Sequence, residues 1–118
     1  MSVLVVDDEP DIRDTLEEFL VDAGFVVRSA ANGAQAMDCL ARALPCLVIL
    51  DLLMPVVSGN EVIERMRQSE RLANVPIIIT TSDPSRAPSG IPIMKKPMNL
   101  GRLLSVVRQH CDCDPNLV

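Results

Sequence analysis

Leu47-Val48-Ile49-Leu50-Asp51-Leu52-Leu53-Met54-Pro55 is the stretch that decides how the chain folds. Four consecutive branched aliphatic residues, with no polar residue between them, describe a strand covered on both faces, as in the centre of a parallel sheet. An acid placed directly after such a run lies at the C-terminal edge of the strand, where open α/β sheets hold their ligands. Taken alone, Asp51 fits equally well as a residue that turns the chain before Met54-Pro55. The rest of the sequence decides between these readings.

The alternation of elements continues on both sides of that strand. Val3-Leu4-Val5-Val6 is a short aliphatic strand that stops on Asp7-Asp8-Glu9-Pro10. Ile12, Leu16, Phe19 and Leu20 then form the apolar stripe of an amphipathic helix that Gly24 ends. Phe25-Val26-Val27 reads as a second strand, and Asn32-Gly33 as a turn before the helical pattern of Ala36, Met37, Leu40 and Ala41. Pro45 separates that helix from the central strand. After Gly59, the residues Val62, Ile63 and Met66 mark a third helix, and Pro76-Ile77-Ile78-Ile79-Thr80 a fourth strand. Ile91-Pro92-Ile93-Met94 is a fifth strand that its proline confines to an edge. Leu100, Leu103, Leu104 and Val107 are the stripe of a last helix.

Strands alternating with helices imply an α/β protein, a doubly wound parallel sheet with helices on both faces. If the first and third strands pair, Asp7, Asp8 and Asp51 meet at one sheet edge. Clustered carboxylates raise one another's pKa values and call for a cation, and oxygen-only ligands in an open cleft favour magnesium.

With 118 residues, 48% of them hydrophobic, the chain is sized for one domain and one core. The expected organisation is a single domain over residues 1–118 with a flexible tail at 111–118. Two Phe, no Tyr and no Trp leave no aromatic platform for stacking bases, and a net charge of -5 argues further against direct nucleic-acid binding. No apolar run approaches membrane-spanning length, and Val3 to Val6 lead into acids rather than a cleavage site, so a cytoplasmic protein is expected. Cys39 and Cys46 read as small core residues. Cys111 and Cys113, beside His110 and Asp112, make an incomplete zinc site and are expected in the tail.

The ordered set of Asp7-Asp8 after the first strand, Asp51 with Met54-Pro55 and Gly59, Thr81 after the fourth strand and Lys96-Pro97 after the fifth resembles the receiver domain of two-component response regulators, chemotaxis receivers in particular. The resemblance spans residues 2–110. It implies a flavodoxin-like five-stranded sheet of order 2-1-3-4-5 and a phosphoacceptor role in a phosphorelay. Asp51 would take a phosphoryl group from a sensor histidine kinase or phosphotransfer protein, without the domain being an enzyme, and would signal to an output protein whose identity is unknown. Asp8, Asp51 and the Leu53 backbone carbonyl would hold Mg2+, with Asp7 acting through water, while Lys96 and Thr81 would contact phosphoryl oxygens. The family also commonly has a cis bond at the position of Lys96-Pro97.

Three departures from the family stand out. Ile93 occupies the position of the aromatic switch residue, Leu53 is apolar two residues after the acceptor, and Asp83 is acidic two after Thr81. Residues 82–90 are also fewer than a parallel crossover usually takes. Asp83-Pro84 can start a helical turn, but Pro88 and Gly90 stop it, so the fourth helix is expected to be reduced to one turn or absent. Two alternatives remain at this point: a receiver-like interaction module that is never phosphorylated, and a phosphatase-type hydrolase. The hydrolase fits poorly, because such enzymes commonly place a second acid where this chain has Leu53.

Overall fold

The computed structural model describes residues 2–54 and 57–111. Pro55 and Val56 of the central stretch lie outside the described residues, as do Asp112, Cys113 and the rest of the expected tail. In chain order the elements are β1 (Ser2–Val6), α1 (Pro10–Asp22), β2 (Val27–Ala30), α2 (Gly33–Arg42), β3 (Pro45–Asp51), α3 (Gly59–Gln68), β4 (Ile77–Thr81), a 3-10 turn (Pro84–Arg86), β5 (Ile93–Lys95) and α4 (Leu100–His110). The strands form one sheet in the order β2-β1-β3-β4-β5, and every ladder is parallel. This is the doubly wound architecture that the alternation of elements implies.

Both faces of the sheet carry a core, which is why its strands do not alternate polar and apolar residues. Leu4, Val6, Val48, Leu50 and Ile79 pack with Ala36, Leu40, Val62, Ile63 and Met66 of α2 and α3. Val3, Val5, Leu47, Ile49 and Ile78 face the other way, onto Leu16 and Leu20 of α1 and Leu103 and Val107 of α4. Side-chain caps fix three helix starts: Asn32, Ser58 and Asn99 accept from the amides of Gln35, Glu61 and Arg102. No helix among the described residues is long and apolar enough to cross a membrane.

Besides the fifth strand, which starts at Ile93 rather than Ile91 and leaves Pro92 just before it, two sequence expectations need correction. The second strand starts at Val27, not Phe25. The Phe25 amide bonds back to the Leu20 carbonyl and the Gly24 amide to that of Val21, with Gly24 at φ 99°, so both residues finish α1 in a Schellman motif before pairing can begin. The second correction concerns the cysteines. Cys46 is not a free core residue; it is joined in a disulfide to Cys111, 65 positions away, with a Cα–Cα distance of 5.4 Å. Cys111, expected in a tail, is buried, and its amide bonds to the Val107 carbonyl at the end of α4.

Between β4 and β5 there is a single 3-10 turn over Pro84–Arg86, as the prolines imply. The Asp83 side chain accepts from the Ser85 amide to start it, and Ala87 returns to extended backbone at φ -78°, ψ 141°. With no full helix over this corner, Ile93 on the edge strand β5 is 39% exposed.

Candidate functional site

Pairing register builds the site at the C-terminal edge of the sheet. Val6 pairs with Leu50, so the next residues, Asp7 and Asp51, leave the sheet side by side. On the other flank Asp51 pairs with Thr80 and Thr81 with Lys95, which brings Lys96 up beyond the end of β4. The Lys96 amide donates to the Thr81 carbonyl at 2.9 Å, and the Lys96-Pro97 bond is cis, as the family resemblance implied.

Carboxylate oxygens of Asp7, Asp8 and Asp51 all lie within 4.8 Å of one another. Asp7 and Asp51 are buried, at 1% and 3% exposure, and Asp8 is half-buried. The Lys96 ammonium donates to Asp7 Oδ2 at 3.1 Å and stands 3.6 Å from Asp51 Oδ1 and 3.7 Å from Glu9 Oε1. Backbone amides complete the arrangement: Glu9 donates to Asp7 Oδ1 and Leu53 to Asp51 Oδ1. From α1, the Arg13 guanidinium donates to the Asp7 carbonyl at 2.8 Å, tying the end of β1 to the helix that follows it.

The electrostatics follow from this crowding. Burial, then the neighbouring Asp7 charge, push the Asp51 carboxyl up from 3.8 to about 7; Lys96 opposes the shift without cancelling it. Burial by itself would lower the Lys96 pKa, but the hydrogen bond it donates to Asp7 and the charges of Asp51, Asp7 and Glu9 outweigh it and hold the ammonium above its usual value. One cation thus serves a cluster of acids, and excess negative charge remains in the middle of it. Oxygen-only donors converging in this way suit a hard, hydrated divalent cation such as magnesium.

The residues singled out from the sequence are therefore brought together, with one qualification. Thr81 is buried beside the cluster, but its hydroxyl accepts from the Asp83 amide at 3.0 Å and bonds the Asp83 carbonyl at 3.4 Å. It must turn to reach a group on Asp51. Leu53 sits at the rim and is 42% exposed. Sequence reasoning missed Glu9 and Arg13. The acidic run Asp7-Asp8-Glu9 was a visible signal for Glu9, whereas nothing in the helical pattern of α1 marks Arg13 as a partner of the strand end.

The response regulator receiver domain family matches residues 3–108. The response regulator Rre1 of Synechocystis is 41% identical over 83 residues, which cover 70% of this chain and 36% of that protein. An uncharacterised 14.6 kDa protein of Leptolyngbya boryana is 37% identical over 118 residues, covering 94% of this chain and 90% of its own. The chain thus spans about a third of the first relative and nearly all of the second. The response regulator TrrA of Thermotoga maritima, solved in complex with magnesium and beryllofluoride, superposes with a TM-score of 0.82 at 32% identity, over 94% of this chain and 100% of that one. Receiver domains typically bind Mg2+ at an acidic pocket and act as signalling modules in partnership with histidine kinases. The family match, the sheet order and the acid cluster with its lysine agree, and the chain belongs to the response regulator receiver domains of two-component systems.

Proposed function

We propose that Asp51 is the phosphoacceptor of a phosphorelay receiver, taking its phosphoryl group from the phosphohistidine of a sensor histidine kinase or phosphotransfer protein. The observation that carries this reading is the Lys96 ammonium held 3.1 Å from Asp7 and 3.6 Å from Asp51, at the edge of three converging carboxylates. In the transfer, an Asp51 oxygen forms a bond to phosphorus as the N–P bond breaks, and the leaving imidazole takes up a proton. Such a reaction needs mainly positioning and charge neutralisation. Lys96 supplies a point charge for a phosphoryl oxygen, and the Thr81 hydroxyl, once released from Asp83, a donor for another. Magnesium held by Asp8, Asp51 and the Leu53 carbonyl, with Asp7 behind it, would neutralise the remaining negative charge when bound.

The whole chain acts in this reading as one domain that signals through a protein partner. Because the fourth crossover holds a single turn, the partner is met by the 82–90 loop or by α1 and α4 rather than by a helix at that position. Ile93 rules out a buried-to-exposed aromatic ring as the reporter of phosphorylation. One observation favours the other reading, an interaction module that is not phosphorylated: the Thr81 hydroxyl is already engaged by the Asp83 backbone.

The two readings separate on adding beryllofluoride with magnesium, which mimics a phosphoryl group on a carboxylate. Amide resonances of Asp51, Thr81 and Lys96 should shift together, and unchanged spectra at saturating reagent would refute the phosphoacceptor. Asp8→Asn should keep the fold and weaken magnesium binding by at least the roughly 10–100-fold that loss of an outer-shell partner alone costs a metal site. Isothermal titration of both proteins measures this, and equal affinities would remove Asp8 from the metal site.

A further inference from the structure

At the opposite end of β3 from Asp51, the sheet contains an irregularity that the phosphoacceptor reading does not use. Ser2 pairs with Pro45 and Val3 with Leu47, so Cys46 is the extra residue of a bulge between β1 and β3. A bulge re-aims a side chain. Strict alternation would send Cys46 to the α2–α3 face with Val48 and Leu50; instead it packs with Leu47 in the core on the α1–α4 face, where Cys111 closes α4.

We propose that Cys46 and Cys111 form a reversible thiol–disulfide site, exchanging with low-molecular-weight thiols of the glutathione class and fastening the end of α4 to the start of β3. Both partners are positioned by independent structure. Leu47 beside Cys46 and Val107 one turn before Cys111 are fully buried, and the Cys111 amide is bonded to the Val107 carbonyl at 2.7 Å. The Cα–Cα distance of 5.4 Å lies in the range that a disulfide spans without backbone movement. The backbone thus accommodates the bond as it stands, and the reduced pair closes whenever a small disulfide is available as oxidant.

The two residues differ in exposure. Cys111 is 3% exposed, whereas Cys46 is half-buried and lines an open cavity of about 310 Å³ with Pro45, Arg71 and His110. Attack is therefore directed to Cys46. The incoming thiolate forms a bond to Cys46 Sγ, the protein disulfide breaks, and Cys111 leaves as a thiolate that takes up a proton. A second small thiolate then attacks its counterpart in the mixed disulfide, releasing the small-molecule disulfide and a Cys46 thiolate that is protonated in turn. Two small thiols are oxidised and one protein disulfide is reduced; the reverse sequence closes it. The poise of the compartment sets the resting state, since reducing surroundings keep such pairs open. None of this depends on phosphorylation of Asp51.

The test uses the full chain carrying Cys113→Ser, equilibrated over a series of reduced-to-oxidised glutathione ratios, quenched by alkylation and mapped by peptide mass. Cys46 and Cys111 should become alkylatable together in one transition. A pair that stays open in excess oxidised glutathione, or closed in excess reduced glutathione, overturns the proposal. The glutathione adduct captured on Cys46 in Cys111→Ser should exceed that on Cys111 in Cys46→Ser by roughly tenfold, because reactivity follows access; equal capture contradicts attack at Cys46. Should either variant fail to fold, amide exchange of the Cys113→Ser chain decides. Reduction should speed exchange at Arg108 to Cys111 and leave β1 and β3 protected, whereas unchanged exchange in α4 refutes the fastening.

Discussion

Replacing Asp51 by Asn should produce a protein that takes no phosphoryl label from acetyl phosphate and yet resists urea better than the parent at pH 8 in the absence of divalent metal. The first effect follows because an amide is not a nucleophile for acyl phosphate formation. The second follows from the raised pKa. A carboxyl that titrates near 7 in the fold and at 3.8 in the unfolded chain binds its proton more tightly when folded. Its contribution to stability is therefore fully present at low pH and is lost as pH rises from about 4 to about 7. A shift of this size corresponds to a ceiling of about 4 kcal/mol. Asn resembles the protonated acid in size and charge, so parent and variant should be about equally stable near pH 4 and diverge as pH rises. Saturating magnesium should shrink the difference by stabilising the parent alone. Urea midpoints at pH 4.5 and pH 8, with and without magnesium, measure both. A variant less stable than the parent at pH 8 without metal would mean that Lys96 neutralises Asp51 more completely than its 3.6 Å separation implies.

That excess charge is legible in the sequence, and the reason is local. Val3 to Val6 and Leu47 to Leu50 are apolar runs that only a two-sided core accommodates, and both end on acids. Once β1 and β3 pair in parallel, the step from Val6–Leu50 to Asp7–Asp51 is forced. The order of the outer strands was not legible from the residues; it came with the family resemblance. Lys96 lies 89 positions from Asp7, and its place in the cluster likewise came from the resemblance and not from spacing. The disulfide is the clearest failure, because its signal is a bulge. Cys46 in an apolar run reads as core, and only the slip between Ser2–Pro45 and Val3–Leu47 turns it toward α4. The start of β2 failed for a related reason. Phe25 and Val26 have strand-forming side chains, but the Phe25 amide is already used to close α1.

Gly59→Ala should cost the domain about 2 kcal/mol, and it presses on the backbone behind the acid cluster although residue 59 contributes no side chain to it. A Cβ on Gly59, the first residue of α3, would stand 2.6 Å from the Asp51 carbonyl oxygen, 2.7 Å from the Leu52 Cα and 3.1 Å from the Leu52 carbonyl oxygen. All three are backbone atoms of the segment that carries the acceptor, and the Gly59 amide is itself bonded to the Leu52 carbonyl at 3.1 Å. No side-chain rotation relieves the overlap; either α3 or the end of β3 has to move. Forcing atoms into a packed site costs about 1–3 kcal/mol, with backbone neighbours at the upper end. The lower chain entropy of Ala in a helix returns roughly 0.5–1 kcal/mol. A net loss of about 2 kcal/mol lowers the melting temperature by roughly 5–10 °C for a domain of this size. Gly101→Ala is the control, because its Cβ would meet only the Asn99 side-chain oxygen at 3.3 Å; its melting temperature should stay within a few degrees of the parent. If displacement is taken up by β3, the Asp51 carbonyl shifts and magnesium affinity falls with stability. If it is taken up by α3, stability falls and metal binding is retained. Thermal unfolding of both variants, with magnesium titrations, distinguishes these outcomes. A Gly59→Ala protein that melts with the parent would show that β3 and α3 do not approach as closely as the structure places them.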